Sequence, residues 1–309
     1  MNRIPIVFAF DNNLSFPAAV CIYSLLANAK PTTTYDIFIL HHKDERLNLN
    51  ELDTVIAHFP RHSYQLRQVD DTFNASFEIR GITTPAYYRL LIPRLIPEYD
   101  KVIYSDVDVI FRQDLADVYA EDLGDNYIAG VNNLAHLDND LTQHYNNHLH
   151  LNPQNIICSG FLVMNCELIR KHNLVNKFLE HTHARYKFQD QDILNITCCN
   201  HIKMLSPKYS VLTYIAYMAV YKPSDIEQIW SKSEINETLS NGNIHYNGQK
   251  PWKGYCVNFD IWWEYYRKSP IFNEKFYFDF FYNKLDELDQ LSLMKRVKIL
   301  VRYFTHHRK

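Results

Sequence analysis

The fold is decided by the stretch Lys101-Val-Ile-Tyr-Ser-Asp-Val-Asp-Val-Ile-Phe111, in which an apolar run of β-forming residues passes directly into two carboxylates. In extended backbone, residues i and i+2 point to the same side, so Asp106 and Asp108 should project together. Open α/β sheets bind ligands at the carboxyl ends of their strands. Two converging carboxylates repel each other unless a cation lies between them, and oxygen ligands suit Mg²⁺ or Mn²⁺. A polar strand exit or a helix cap is the structural alternative.

Strands and helices alternate on both sides of this stretch. Runs rich in β-forming residues predict strands, and segments with helical periodicity predict the helices. The predicted elements are strand 6–10, helix 16–28, strand 35–41, helix 47–59, strand 64–69, helix 86–92, strand 101–104, strand 161–165, helix 168–186 and a helix beginning at 193. This alternation indicates an α/β fold with parallel strands.

Length and composition restrict the possible classes of protein. The 309 residues are 47% hydrophobic, which allows one large domain with an appendage. We expect a catalytic domain at 1–255 and a C-terminal region at 256–309 that is rich in aromatic and basic residues. The formal net charge of −3 gives no reason to expect a nucleic-acid partner. Six cysteines without metal-ligand spacing, and no signal-peptide pattern, favour a cytoplasmic location.

The segment His245-Tyr-Asn-Gly-Gln-Lys-Pro-Trp252 brings an imidazole, a glycine and a lysine together. A neutral imidazole can complete a carboxylate metal site, and Lys250 can pair with a phosphate as a point charge. An ordinary surface turn is the structural alternative. The chain has seven glycines and no glycine-rich phosphate loop, so a metal ion is the expected means of neutralising bound phosphates.

Two further segments carry polar groups that can contact a substrate. Asp190, Gln191 and Asp192 stand together at a predicted helix start, where a simple N-cap is the structural alternative. Arg89 lies on an otherwise apolar and aromatic helix. It is either a cation that reaches a donor phosphate or sugar, or a surface arginine whose stem lies along apolar groups.

In their order and spacing these segments resemble family 8 glycosyltransferases, especially the bacterial lipopolysaccharide galactosyl- and glucosyltransferases of the LgtC type. The resemblance covers roughly residues 4–255. The segments that carry it are Phe8-Ala-Phe-Asp-Asn-Asn13, Thr84-Pro-Ala-Tyr-Tyr-Arg-Leu90, Val102-Ile-Tyr-Ser-Asp-Val-Asp108, Asp122-Leu-Gly-Asp-Asn126, Gln189-Asp-Gln-Asp-Ile-Leu-Asn195 and His245-Tyr-Asn-Gly-Gln-Lys-Pro-Trp252.

The resemblance implies a GT-A fold, a Rossmann-like mixed sheet flanked by helices, and a metal-dependent, configuration-retaining hexosyltransferase. The implied donor is UDP-galactose or UDP-glucose. The implied acceptor is a saccharide or a lipid-linked oligosaccharide in lipopolysaccharide or surface polysaccharide biosynthesis. The implied metal is Mn²⁺, with Mg²⁺ as the alternative, on Asp106, Asp108 and His245.

The resemblance also assigns further residues. The implied contacts with the nucleotide and its phosphates are Ala9, Asp11, Asn12, Asn13, Leu14, Ser15, Phe16, Asp106, Val107, Gly248 and Lys250. The residues implied at the transferred sugar are Arg89, Asp190 and Gln191, with Asp192 adjacent as a further carboxylate.

The sequence departs from the family pattern at two places. Leu14 stands where an aromatic residue commonly stacks on uracil, which leaves Phe16 or no residue for that contact. Cys158-Ser-Gly160 stands where the family usually has asparagine first, so the sugar contact implied for that asparagine is not assigned to this chain. Gln191 is implied to lie nearest the reacting face, and an amide is a poor nucleophile. We therefore expect front-face attack rather than double displacement.

Residues 293–304 have the pattern of an amphipathic helix. The apolar face consists of Leu293, Val297, Leu300, Val301 and Phe304, and the basic face of Lys295, Lys298 and Arg302. This pattern predicts attachment to an anionic membrane surface at the inner face of the plasma membrane. A terminal helix packed on its own domain is the alternative.

Two other functions remain as alternatives. One is a sugar-nucleotide pyrophosphorylase, although such an enzyme would normally carry an N-terminal glycine-rich loop. The other is a relative that binds a nucleotide-sugar or a glycan without turnover. The intact set of Asp106, Asp108, His245 and Lys250 favours the enzyme.

Overall fold

A computed structural model describes residues 2–74, 76–77 and 84–306. The chain divides into two compact units, Met1–Pro270 and Ile271–Lys309. The first unit includes the residues expected to form the catalytic domain, 1–255, and its helix at Phe259–Lys268 contributes Trp262 and Trp263, each 1% exposed, to the core.

The strands within these described ranges are β1 (Asn2–Ala9), β2 (Thr33–His42), β3 (Ser63–Val69), β4 (Lys101–Ser105), β5 (Val109–Ile110), β6 (Ile128–Asn132), β7 (Ile157–Asn165), β8 (Ile202–Leu205), β9 (Val211–Leu212) and β10 (Ile244–His245). The helices of the first unit are α1 (Ser15–Ala27), α2 (Asn50–His58), α3 (Ile92–Leu95), α4 (Ala116–Ala120), α5 (Asn139–Gln143), α6 (Cys166–Lys171), α7 (Leu174–Glu180), α8 (Gln189–Thr197), α9 (Thr213–Tyr221), α10 (Pro223–Ile226), α11 (Lys232–Asn241) and α12 (Phe259–Lys268). The second unit contains α13 (Glu274–Asp289) and α14 (Leu293–His306).

The main sheet has seven strands in the order β3-β2-β1-β4-β7-β6-β8. The strands β3, β2, β1 and β4 run parallel to one another, as the alternation predicts. The long strand β7 is antiparallel to both of its neighbours, β4 and β6. The mixed sheet that the resemblance implies is therefore confirmed, and a wholly parallel sheet is excluded.

A small second sheet joins distant parts of the chain at the end of β4. Its order is β5-β10-β9, with β10 antiparallel to β5 and parallel to β9. His245 on β10 pairs with Val109 on β5, the residue that follows Asp108. This sheet thus brings His245 beside the acidic pair in a buried strand, whereas residues 247–249 of the same segment form an exposed bend.

Two predicted helices differ in the structure. The single helix expected at 168–186 is broken into α6 and α7, because Asn173 adopts a left-handed backbone with φ 53°. The helix expected at 86–92 is a 3₁₀ helix at Thr84–Leu91 that continues into α3. Across the ranges that the structure describes, no helix has the length and apolar character needed to cross a membrane.

Candidate active site

Asp106 and Asp108 lie in a bend between β4 and β5. The expectation that they alternate along an extended strand is wrong, because β4 ends at Ser105. Backbone hydrogen bonds to two other strands hold the bend: Asp106 N–H donates to Gly160 O at 2.9 Å, and Tyr246 N–H donates to Asp108 O at 2.9 Å. The two carboxylates still converge, with one oxygen atom of each within 4.8 Å of the other, but tertiary contacts bring them together.

His245 completes a compact group with the acidic pair. Its Nε2 atom lies 3.7 Å from Asp106 Oδ2 and 3.3 Å from Asp108 Oδ1, and the residue is 2% exposed. One ligand atom from each of the three residues lies within 4.8 Å of the others. The three predicted metal ligands therefore converge, although they come from segments far apart in sequence.

The donor chemistry of this group fits a divalent cation. Asp108 Oδ1 is buried and accepts no hydrogen bond within the described chain, while Lys250 Nζ pairs with Oδ2. Burial alone would raise the pKa of Asp108, but the positive charges of protonated His245 and of Lys250 hold it below its usual range, and a divalent cation would take the place of the proton on His245 Nε2. The carboxylate is therefore ionised and keeps one buried oxygen available. Two carboxylates and one imidazole suit Mn²⁺ or Mg²⁺.

Gly160 on β7 leaves the space in which this group forms. A Cβ atom at this position would lie 2.2 Å from His245 Cε1 and 2.6 Å from Asp106 Oδ2. Both distances are far shorter than van der Waals contact, so any side chain here would displace one of the two residues. Sequence reasoning placed Gly160 in a family motif but did not assign it this role.

We expect Gly160→Ala to lower the metal affinity and the turnover of the folded protein by about 100-fold, since a displacement of about 1 Å is enough for such a loss. Manganese binding and UDP release would be measured beside Ser63→Ala. Ser63 is exposed on the edge strand β3 and lines neither this group nor the cavity beside Lys250, which makes this variant a control. A Gly160→Ala protein that binds metal as the wild type does would contradict the proposed geometry.

Arg89 is a buried bridge within the protein. It is 4% exposed; its Nη2 donates to Asp106 Oδ1 at 2.9 Å, and its Nε lies 3.1 Å from Asp190 Oδ2. Its Nη1 donates to Ser159 O at 2.6 Å, and the guanidinium lies 4.3 Å from the centre of the Tyr104 ring. The surface-arginine alternative is therefore wrong. Arg89 acts on the site by holding Asp106.

The three polar residues at the start of α8 have different surroundings. Burial raises the pKa of Asp190 to about 6, although the charge of Arg89 lowers it. Asp192 is fully buried and accepts hydrogen bonds from the Phe188 backbone N–H at 3.0 Å and from the ring of His144 at 2.8 Å. Oδ2 of Asp192 is thus committed to the fold and Oδ1 is buried, so the structure gives no support to a role of this carboxylate as a nucleophile.

Gln191 has a defined side-chain orientation. Its Oε1 accepts from the Ser159 backbone N–H at 3.3 Å, and its Nε2 donates to Tyr145 Oη at 2.9 Å. A backbone N–H can only donate, so it distinguishes the carbonyl from the amide end of the side chain. Gln191 is half-buried. The backbone of Ser159 is hydrogen-bonded both to Gln191 and to Arg89.

The implied nucleotide loop follows β1. Asp11 caps a 3₁₀ turn at Asn12–Leu14 by accepting from Asn13 N–H at 3.0 Å. Ala9, Ser15 and Val107 are buried, whereas Asn12 and Asn13 are exposed and Leu14 is half-buried. A cavity of about 510 Å³ opens beside this loop, and its lining includes Asp11, Thr84 and Tyr88.

Phe16 belongs to an aromatic cluster with α12. Its ring packs edge-on against Trp262 and Tyr266, with centroid distances of 5.9 and 5.4 Å. The Phe16 ring, which was the candidate for stacking on uracil, therefore packs within the protein against α12.

A second cavity, of about 420 Å³, lies at the implied phosphate segment. Gly248 and Lys250 line it together with Gln249, Lys253, Gly254 and Tyr255. Lys250 Nζ also donates to Tyr246 O at 2.6 Å. The ammonium group of Lys250 thus stands between this cavity and Asp108.

Comparison with known proteins agrees with the sequence pattern. The family model described as "Glycosyl transferase family 8" matches residues 5–256. The chain belongs to glycosyl transferase family 8.

Two curated relatives span most of the chain. General stress protein A of Bacillus subtilis is 25% identical over 262 residues, which is 80% of this chain and 86% of the relative. Lipopolysaccharide 1,2-glucosyltransferase of Escherichia coli is 26% identical over 284 residues, 85% of this chain and 78% of the relative.

A solved structure confirms the fold. The galactosyltransferase LgtC, in complex with donor and acceptor sugar analogs, superposes with a TM-score of 0.71 at 23% identity. The likeness covers 88% of this chain and 98% of that structure. The GT-A architecture implied by the sequence is therefore confirmed.

Proposed function

We propose that this family 8 glycosyltransferase transfers galactose or glucose from a UDP-sugar to a glycan or glycolipid acceptor, with retention of configuration. The observation that carries the proposal is the convergence of Asp106, Asp108 and His245 within 4.8 Å. The names of the Escherichia coli relative and of the LgtC structure support a hexose donor and a lipopolysaccharide or surface polysaccharide acceptor.

Asp106, Asp108 and His245 would hold Mn²⁺, or Mg²⁺, on the donor diphosphate. A bound metal ion would stabilise the negative charge that develops on the departing phosphate. Lys250 adds a positive charge at the edge of the phosphate cavity, since its partner Asp108 would be shared with the metal. The turn from Asp11 to Phe16 would hold the uridine.

The surroundings of α8 favour front-face attack. Asp190 is buried against Arg89, and Asp192 is turned into the interior, so neither is a free nucleophile. Gln191 is the polar residue of this group that keeps partial exposure. In the proposed reaction the acceptor hydroxyl attacks the anomeric carbon as the bond to the phosphate breaks. The leaving phosphate takes the acceptor proton, and Gln191 stabilises the developing positive charge on the sugar.

We expect Gln191→Ala to lower turnover on the order of 10–100-fold while changing donor affinity little, because its proposed role is confined to the transition state. Transfer kinetics and UDP-sugar binding would be measured separately. Gln68→Ala, at an exposed position on β3, is the matched control. Lost donor affinity with unchanged turnover would show a binding role instead, and a trapped glycosyl adduct on Asp190 or Asp192 would refute front-face attack.

A donor screen tests the proposed function. UDP release would be followed with UDP-galactose, UDP-glucose and their N-acetyl forms, each with and without Mn²⁺. The proposal predicts metal-dependent release from one of the hexose donors. Binding without release from any donor would favour the non-catalytic alternative, and formation of UDP-sugar from a sugar phosphate and UTP would favour the pyrophosphorylase.

We further propose that α14 attaches the enzyme to an anionic membrane surface. Leu293 and Met294 are 77% and 82% exposed, and Val297 and Leu300 are also exposed. Lys295 and Lys298 are exposed on the same helix. The side chains of Arg302 and Phe304, and residues 307–309, lie outside the described part of the chain. An exposed apolar stripe beside basic residues is the pattern of an interfacial helix.

We expect the double variant Lys295→Glu with Lys298→Glu to bind anionic vesicles at least 10-fold more weakly, since each basic residue contributes about 1 kcal/mol at such a surface. The control, Lys295→Arg with Lys298→Arg, keeps the charge and should sediment like the wild type. The measurement is co-sedimentation with neutral and anionic vesicles. Equal sedimentation of all three proteins would favour the alternative, in which α14 is a terminal helix that packs on its own domain.

A further inference from the structure

The imidazole of His245 has two nitrogens with different surroundings. Nε2 faces Asp106 and Asp108, whereas Nδ1 lies 3.2 Å from the hydroxyl oxygen of Ser210. Ser210 is 1% exposed. We propose that Ser210 is a positioning residue of the metal centre, which accepts the Nδ1 proton of His245 and so directs Nε2 toward the metal. This inference rests on the proposed function.

The small sheet fixes Ser210 relative to His245. Ser210 directly precedes β9, and β9 runs parallel to β10 with Leu212 opposite His245. The Val211 backbone N–H donates to Asn243 O at 2.7 Å, which ties the two segments together just beside the pair. The pairing register of β9 and β10 therefore places the Ser210 hydroxyl beside the His245 ring, without a contribution from a mobile loop.

The chemistry of an imidazole ligand requires such a partner. A histidine that binds a metal through Nε2 carries its remaining proton on Nδ1. That N–H is buried here, and a buried donor without an acceptor costs about 1–3 kcal/mol. The Ser210 hydroxyl accepts the proton, and the pairing also limits rotation of the ring. The thiol of Cys158 lies beside the same ring, but sulfur is the weaker acceptor.

Ser210 does not need to touch the donor or the acceptor to have this effect. Its loss should weaken metal binding and leave the chemical step intact when metal is saturating. Partners of this kind typically change metal affinity by about 10–100-fold. A role in packing alone would lower stability without this selective change in metal affinity.

The test is a titration of full-length protein with Mn²⁺ alone, followed by electron paramagnetic resonance. Ser210→Ala should raise the dissociation constant for Mn²⁺ about 10–100-fold, and turnover should recover as Mn²⁺ is raised. Ser210→Cys, which keeps a weak acceptor, should fall between Ser210→Ala and the wild type. Ser269→Ala removes another buried hydroxyl, which donates to Tyr266 O, and should bind Mn²⁺ like the wild type.

The possible failures can be told apart. Folded Ser210→Ala protein with wild-type affinity for Mn²⁺ would overturn the role of Ser210, and Ser210→Cys supplies the same comparison if Ser210→Ala does not fold. In a His245→Ala background, Ser210→Ala should change affinity no further; an added loss would show a general structural role and overturn the inference. Absence of Mn²⁺ binding by the wild type would instead overturn the metal site of the proposed function.

Discussion

Asp108→Asn should reduce sugar transfer on the order of 10³-fold and leave the protein folded. Asparagine has nearly the same shape as aspartate but lacks the charge that a divalent cation requires. The change also removes the anionic partner of Lys250. Lys250 is only partly buried, so water can solvate its ammonium group in the variant. The loss should therefore appear in metal binding and turnover rather than in the cooperativity of unfolding.

The measurement is UDP release and transfer at several Mn²⁺ concentrations, with thermal unfolding as a check on the fold. Asp117→Asn is the control, because Asp117 is exposed and its nearest ion-pair partner is the exposed Lys30, at 3.5 Å. The metal site would be refuted by full activity in Asp108→Asn, or by undiminished wild-type activity after exhaustive chelation.

Arg89→Met should lower both stability and activity. Arg89 is buried between Asp106 and Asp190, and removing one partner of a buried ion pair costs about 3–5 kcal/mol. Asp190 would lose the positive charge that opposes the effect of burial, so its pKa should rise above the present value of about 6. Asp106 would lose a hydrogen bond that orients its carboxylate at the proposed metal site. We therefore expect weaker Mn²⁺ binding in the fraction that remains folded.

Denaturant unfolding tests this expectation. Arg94→Met, at an exposed arginine that contacts Asn176, should change the free energy of unfolding by less than about 0.5 kcal/mol. Adding Asp190→Asn to Arg89→Met should restore part of the lost stability, since it removes the unpaired carboxylate. An Arg89→Met protein as stable as the wild type would show that the bridge contributes little.

The sequence predicted the parallel strands of this fold well, but it predicted neither the break in the helix expected at 168–186 nor the shortest strands. The parallel strands from β1 to β4 carry apolar runs with turn signals at their ends, and the structure confirms them. The two-residue strands β5, β9 and β10 are too short to carry any periodicity. The sequence around His245 therefore looked like a turn. The pairing of β10 with β5 and β9 is what places the His245 ring at the site.

The residues of the candidate site divide in the same way. The acidic pair and His245 could be named from local motifs and the family resemblance, and the structure brings them together. The bridging position of Arg89 and the inward orientation of Asp192 depend on packing between distant segments. Position 160 requires glycine because side chains from two other segments, Asp106 and His245, fill the space that a Cβ atom would occupy. No local sequence pattern could reveal this requirement.

The most direct test is anomalous diffraction from crystals of the full chain grown with Mn²⁺ and UDP. The proposed function predicts one manganese peak within about 2.5 Å of carboxylate oxygens of Asp106 and Asp108 and of His245 Nε2. A second group, the partly exposed His42, Asp44 and Asp71, also brings potential ligand atoms within 4.8 Å of one another. Manganese at that group alone, or no peak beside His245, would contradict the proposed metal centre.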